Sequence, residues 1–350
     1  MLRVALVGAG GMARHYRRAY TTLPEVEWSV AIDLDPGQLE LCRQEGAKKI
    51  GTDFAMALAP EIDLVDVSTP NHLHEAQAVE ALAAGKHVLL QKPIANTLES
   101  ADRILAAAAQ SRGILGMYMS SYANPLVWEI KKIIDGGFLG KIQSIRARDS
   151  HRGGLSTKAG PNNWRGSKQQ TGGGAFVQLS IHAINLMQWW LDSPITEIFA
   201  FSDNRCCPNI GGDDVTVAVT KFASGAFGTF DSGYASEGLS REIYGTEGLV
   251  RLIHEDKDIE IQLDRPFKGD FLDYTTPNKP QLFAGPKFDL QDTNNPHNPQ
   301  RMFVEAIRAG RPPFMSGAMG RRDLAVVSAA YASSQPPMMP VKLPPPGPII

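Results

Sequence analysis

A run apolar but for Arg3, Leu2–Val7, passes directly into Gly8-Ala9-Gly10-Gly11-Met12-Ala13, and no other stretch constrains the fold of this chain as strongly. A strand that is apolar nearly throughout belongs in a parallel sheet covered on both faces. Glycines at its end permit a turn too tight for side chains and let the backbone approach a ligand closely. The same grammar continues to about Tyr122. Helical stretches at 12–22, 36–44, 71–84 and 97–111 alternate with strands at Val26–Ile32, 62–67, 87–90 and 114–119. Asp35 and Asn71 read as helix caps, with Gly85 as a helix stop. Such alternation predicts a doubly wound α/β domain.

After Tyr122 the pattern changes. Pro125–Asp135 and 175–191 read as helices, and 141–148 alternates like a half-exposed strand. Strands then crowd together at 195–202, Val215–Phe222, 226–232, 242–244, 249–254 and 259–263, several joined by Gly-containing turns. The polar stretch 266–299 reads as a long loop or arm, and 300–309 and 321–334 as closing helices. The expectation is a Rossmann-type domain over 1–122, followed by an α+β domain over 123–345 that holds both closing helices. Its large sheet should be open and mainly antiparallel. A chain of 350 residues exceeds what one core usually serves.

Net charge is −2, with 35 basic against 37 acidic residues, which argues against a nucleic-acid or acidic-membrane partner. No apolar run reaches the length of a membrane span. The chain enters a strand at once, leaving no room for a signal peptide, and Cys42, Cys206 and Cys207 form no disulfide framework. The expectation is a reduced, cytoplasmic protein.

The glycine turn has the form G-x-G-x-x-A, and Asp33 closes the second strand 23 residues after Gly10. Strand, glycine turn, helix and distal acid together form a dinucleotide fingerprint. Gly8 permits the turn, while Gly10, Gly11 and Met12 lie where a pyrophosphate meets backbone. Asp33 can accept ribose hydroxyls and would repel a 2′-phosphate, so NAD is expected rather than NADP. Ser68-Thr69-Pro70-Asn71 ends another strand at the same carboxyl edge, with His74 just beyond, and these five residues are expected at the cofactor. His72 and His74 point about 200° apart on a helix, too far to share a metal, and no metal is expected. Gln91-Lys92-Pro93 ends the strand 87–90 on that edge, which brings Gln91 and Lys92 within reach of the cofactor.

In combination, V-G-x-G-x-x-A, S-T-P-N-x-x-H, Q-K-P and G-G-G-A-F-V-Q-L-S-I-H resemble the glucose–fructose oxidoreductase, inositol dehydrogenase and MocA family. The closing segment Phe303-Val304-Glu305-Ala306-Ile307-Arg308-Ala309-Gly310-Arg311-Pro312 is similar to that family's last helix. The resemblance implies NAD(P)-dependent oxidation of a sugar, cyclitol or related hydroxyl, with Lys92 at the nicotinamide and in contact with the reacting hydroxyl. It also implies catalytic positions at Gln178 and His182. At 100° per residue, Gln178, His182 and Asn185 fall within about 60° on an otherwise apolar helix, as a polar stripe facing a cleft would. Upstream, Trp164 offers a flat surface to a sugar ring, and Arg152, Lys158, Arg165 and Lys168 offer donors to the substrate.

Two positions depart from the family pattern. Gln91 stands where glutamate is usual, and Gln178 where aspartate is common. Neither can ionise. Proton transfer then falls to Lys92 or His182, and without a carboxylate beside it the Lys92 pKa should be lowered. Alternatives are a redox-neutral NAD enzyme that modifies sugars through a transient ketone, and a non-catalytic NAD-binding protein. The open sheet suggests a homodimer or homotetramer.

Overall fold

The computed structural model describes residues 1–155 and 163–344. They form two compact units, one of Met1–Ala123 with Phe288–Arg321, the other of Asn124–Lys287 with residues 322–344. In the first unit, β1 (Leu2–Val7), β2 (Val26–Ile32), β3 (Lys49–Gly51), β4 (Leu64–Val67), β5 (His87–Gln91) and β6 (Leu115–Tyr118) make one sheet. Its order is β3-β2-β1-β4-β5-β6, and every pairing is parallel. Val4, Ala5 and Leu6 are wholly buried, which is why β1 tolerates no polar alternation.

The connecting helices are α1 (Ala19–Thr22), α2 (Pro36–Glu45), α3 (His74–Ala83) and α4 (Leu98–Gln110). Asp35 caps α2 by accepting from the Gly37 amide, and Gly46 ends it in the left-handed region at φ 119°. The expected helix over 12–22 is instead a 3-10 turn, Ala13–His15, followed by the four residues of α1. The break falls at Tyr16 (φ −138°), whose hydroxyl donates to buried Asp66 at 3.1 Å. Asn71 is also corrected. It is buried and opens a 3-10 turn, Asn71–Leu73, while α3 begins at His74 without a side-chain cap.

The second unit begins with α5 (Pro125–Asp135), capped by Asn124. It continues through β7 (Ile142–Ser150), α6 (Lys168–Thr171), α7 (Ile181–Trp190), β8 (Ile195–Asp203), β9 (Val215–Phe222), β10 (Phe227–Gly233), β11 (Gly238–Gly245), β12 (Gly248–Ile253) and β13 (Asp258–Leu263). The segment expected to be a loop holds a small hairpin, β14 (Phe267–Lys268) with β15 (Asp273–Tyr274), and an edge strand, β16 (Gln281–Ala284), paired with β13. Two- and four-residue strands carry too little periodicity to be read locally. β17 (Val341–Lys342) pairs with β8, completing the order β16-β13-β12-β11-β7-β10-β9-β8-β17. Pairing is antiparallel except between β7 and β10, which run parallel. One sheet face stays open on its β8–β10 side, where Phe201, Val217, Val219 and Phe227 are exposed.

Of the two closing helices, α8 (Pro299–Arg308) packs in the first unit, not the second as the sequence suggests. Its Phe303 and Val304 join the core of Val4, Leu6, Tyr16 and Tyr118. A Cβ on Gly116 would collide with the Phe303 ring, so a glycine in β6 makes the seat for this helix. The division between units falls within α9 (Gly317–Ser333).

Asp66 in β4 is fully buried and accepts from Tyr20 at 2.6 Å, as well as from Tyr16 and Ser68. Burial pushes its carboxyl up to about 7 against those three hydrogen bonds. The folded pKa therefore exceeds the unfolded value of about 3.9. Stability is full below that value and is lost as pH rises through the folded one. We expect Asp66→Asn to shrink the stability lost between pH 5 and pH 8 by a few kcal/mol, measured by urea unfolding at both pH values. Identical pH dependence in the two proteins would refute the assignment.

Candidate functional site

Gly8, at φ 85°, lies so near the end of β4 that a Cβ would sit 2.8 Å from the Ser68 carbonyl and the Thr69 amide. This is the position where glycine is obligatory. The next two amides, Ala9 and Gly10, both donate to Asp33 Oδ2, at 2.7 and 3.2 Å, and Asp33 Oδ1 accepts from the Asp35 amide at 2.9 Å. Arg17, almost fully buried, donates to the Ala9 carbonyl at 2.6 Å and is held by Glu45. The acid expected at a ribose thus also fastens the glycine turn. Among the described residues, the amides of Gly11 and Met12 make no hydrogen bond within the chain. Two donors beside a carboxylate suit the pyrophosphate and ribose of a dinucleotide. The donors belong to the turn itself, because the following 3-10 segment is too short to supply a helix dipole.

In sheet order, β2, β1, β4 and β5 are neighbours, so Asp33, the glycine turn, Ser68-Thr69-Pro70 and Gln91-Lys92 share one carboxyl edge. The sequence-selected residues of the first unit are gathered there. Thr69 donates to Gln77 at 2.5 Å. Gln91 is buried; its Oε1 accepts from the Lys92 amide at 3.0 Å, and its Nε2 has no hydrogen-bond partner among the described residues. Lys92 is half-buried, and the peptide bond between it and Pro93 is cis. His74 departs from the expected cofactor contact. It is completely buried, with Nδ1 2.9 Å from the Pro93 carbonyl and Nε2 2.9 Å from the Thr69 carbonyl. Both ring nitrogens are spent on backbone, and burial pushes the imidazole down to about 4.

In the second unit, Gly172-Gly173-Gly174 leads into a π-helical turn, Phe176–Ser180, before α7. Asp213 holds that entry: Oδ1 accepts from the Gly174 amide at 2.8 Å and Oδ2 from the Phe176 amide at 2.9 Å. Tyr331 donates to the same Asp213 at 2.7 Å and accepts from the Gly174 and Val177 amides. Side chains at 173 and 174 would collide with Tyr331 and with the Asp213 backbone, which accounts for the glycine run. The π turn closes i→i+5 bonds, so 100° per residue no longer describes that turn. The turn changes the angle of Gln178 to His182, while His182 and Asn185 lie within α7 and keep the α step. Gln178 is buried and His182 half-buried, whereas Asn185 faces buried Asp323, donating to it at 2.5 Å. Burial raises the Asp323 carboxyl to about 6.

Arg152 is exposed, Trp164 is half-buried, and the Arg165 guanidinium lies 4.5 Å from the Trp164 ring centroid. Lys158 lies outside the described residues. Tyr234 escaped the sequence reading. It joins Ala175, Cys207 and Ile210 in a small cluster that touches Leu179, and its ring lies 5.2 Å from His151. Parallel pairing of β7 and β10, with Gly233 opposite Ser150, brings His151 and Tyr234 out side by side. That pairing joins distant segments, and no local pattern announces it.

Residues 2–119 match the model of an oxidoreductase family with an NAD-binding Rossmann fold, and residues 127–251 match the GFO/IDH/MocA C-terminal domain. Levoglucosan dehydrogenase of Pseudarthrobacter phenanthrenivorans is 27% identical over 298 residues, covering 75% of this chain and 76% of that protein. D-glucoside 3-dehydrogenase of Escherichia coli is 25% identical over 354 residues, 95% of each chain. A solved structure of levoglucosan dehydrogenase with NADH and levoglucosan superposes with a TM-score of 0.84 at 24% identity, covering 98% of this chain and 100% of that one. At that identity the likeness is one of fold. No helix among the described residues is long and apolar enough to cross a membrane. With both halves of its architecture matched in order over more than half of its length, the chain belongs to the Gfo/Idh/MocA family of NAD-binding oxidoreductases.

Proposed function

We propose that this protein moves hydride between NAD and a hydroxyl of a sugar, cyclitol or sugar derivative, with Lys92 as the acid/base and His182 assisting. The observation that carries the reading is Lys92 at the end of β5, on the same sheet edge as the Gly8 turn and the Asp33 carboxylate. The substrate class is supported by relatives named as dehydrogenases of levoglucosan and of D-glucosides. In this reading Asp33 accepts from the ribose hydroxyls, the Gly11 and Met12 amides meet phosphate, and Gln91 Nε2 supplies a further donor. Bound NAD would supply the hydride acceptor. Lys92 Nζ takes the hydroxyl proton during oxidation and returns it in the reverse direction. His182 orients that hydroxyl, and Gln178 adds a hydrogen bond without charge. Trp164 presents its ring to the sugar, with Arg152 and Arg165 as donors.

An NADH-absorbance screen with levoglucosan, methyl glucosides, free sugars, inositols and sugar acids tests the substrate class. Lys92→Ala should cut turnover on the active compound about a hundredfold or more while changing NADH affinity about threefold at most. Near-normal turnover would remove Lys92 from the chemistry.

Asp33 also underlies a preference for NAD over NADP, since its charge opposes a 2′-phosphate. Asp33→Asn keeps an oxygen for the Ala9 and Gly10 amides but loses the charge. The ratio of NADPH to NADH dissociation constants, read by fluorescence titration, should fall about tenfold in the variant. A wild-type protein that binds both equally would contradict this.

The exposed strip of Phe201, Val217, Val219 and Phe227 is the face on which copies of the chain would pair. Light scattering should report a dimer or tetramer that Phe201→Asp with Val219→Asp dissociates. A monomeric wild type would end that reading.

A further inference from the structure

His74 stands at the first position of α3, and its imidazole spans the ends of two neighbouring strands. Thr69 follows β4, and Pro93 follows Lys92 at the end of β5; the two strands pair in register, with Val67 opposite Leu90. The ring reaches one carbonyl on each side, both at 2.9 Å, with no exposure to solvent. On the far side of Thr69, the main chain touches the Gly8 position. A continuous line of contacts therefore runs from the glycine turn through Thr69 and His74 to the backbone that carries Lys92.

An aliphatic side chain of similar volume would fill this space equally well. It would leave the buried carbonyl that accepts the ring N–H without its donor, which costs free energy even when packing is kept. Burial disfavours the charged ring, so a neutral imidazole has a single proton to share between two acceptors. Bonding to Pro93 is the contact that bears on Lys92, because it fixes the residue immediately after the lysine.

We propose that His74 is a positioning residue for Lys92, bracing the Pro93 carbonyl against the Thr69 end of β4 so that the lysine keeps a fixed place on the nucleotide edge. The proposal deepens the acid/base reading of Lys92 and rests on it. His74 itself touches neither cofactor nor substrate.

The test compares His74→Leu, His74→Asn and His74→Gln in the full-length protein. Asn places its amide near the position of Nδ1 and can keep the Pro93 contact. Gln reaches towards the Nε2 position and the Thr69 contact, and Leu keeps volume alone. The readout is the rate at which acetic anhydride labels Lys92, followed across pH by peptide mass spectrometry, with exposed Lys221 as internal reference. It needs neither substrate nor turnover. The Leu and Gln variants should change the Lys92 rate relative to Lys221 by about threefold or more, while Asn stays within about twofold of wild type. NADH affinity, by fluorescence titration, should change less than the labelling does.

An unchanged Lys92 rate in the Leu variant overturns the proposal, as does an Asn variant as disturbed as Leu. If the Leu variant fails to fold by circular dichroism, the Asn and Gln pair still decides, because equal behaviour of those two contradicts a Pro93-directed brace. The Lys92→Ala turnover measurement separates the two levels. Retained turnover there defeats the acid/base reading itself, whereas impaired turnover beside unchanged labelling in the His74 variants defeats only the brace.

Discussion

Close approach of two main chains at Gly8 is the constraint on which the nucleotide edge depends. With no Cβ at that position, the turn after β1 can lie against Ser68 and Thr69 at the end of β4. The Gly8 amide donates to the Ile32 carbonyl at 2.8 Å, and the Ser68 amide to the Val7 carbonyl at 2.8 Å, so the turn is bound to strands on both sides. Those strands flank β1 where the connection order of the sheet reverses, the place where open α/β sheets receive ligands. Asp33 then fastens Ala9 and Gly10, and Arg17 fastens the Ala9 carbonyl. Any side chain at residue 8 would disturb all of these contacts.

The second unit solves a comparable problem with a different device. Its glycine run exists to admit a carboxylate and a phenol, Asp213 and Tyr331, to the amides at the start of the helical segment. Those amides would otherwise lack partners. Asp213 also accepts from Thr216 at 2.8 Å, so the entry to the helix is tied to the start of β9. The neighbouring Asp214 accepts from the Arg205, Cys206 and Cys207 amides, holding the adjacent loop. That hold keeps Cys207, a free thiol, within the cluster around Tyr234, while the adjacent Cys206 is exposed. Burial and the nearby Asp214 carboxylate raise the Cys207 thiol to about 11, the opposite of what a nucleophile needs.

Much of the first unit was legible because parallel strands and amphipathic helices write their periods into short stretches of sequence. β1, β2 and β5, the cap at Asp35, and the acid at position 33 all follow from local rules. What failed there failed through tertiary override. Tyr16 leaves the helical backbone as its hydroxyl meets Asp66, and α8 joins this unit because Gly116 makes room for Phe303. The π turn at Phe176–Ser180 alters the angle between Gln178 and His182, because a helix wheel assumes the α step throughout, whereas His182 and Asn185 both lie in α7 and keep that step.

By itself, the sequence determined that a strand runs into a glycine turn, that an acid closes the next strand, and that Lys92 and His74 lie near strand ends. These follow from apolar period, glycine's conformational range and capping chemistry, which act over a few residues. Only the tertiary structure decided what the buried polar groups do. It turned Asp33 onto the amides of the glycine turn, closed both nitrogens of His74 onto Thr69 and Pro93, and set Tyr234 beside His151 through the parallel β7–β10 pairing. The reason is that a buried donor or acceptor must find its partner wherever the fold brings one, often far away in the chain.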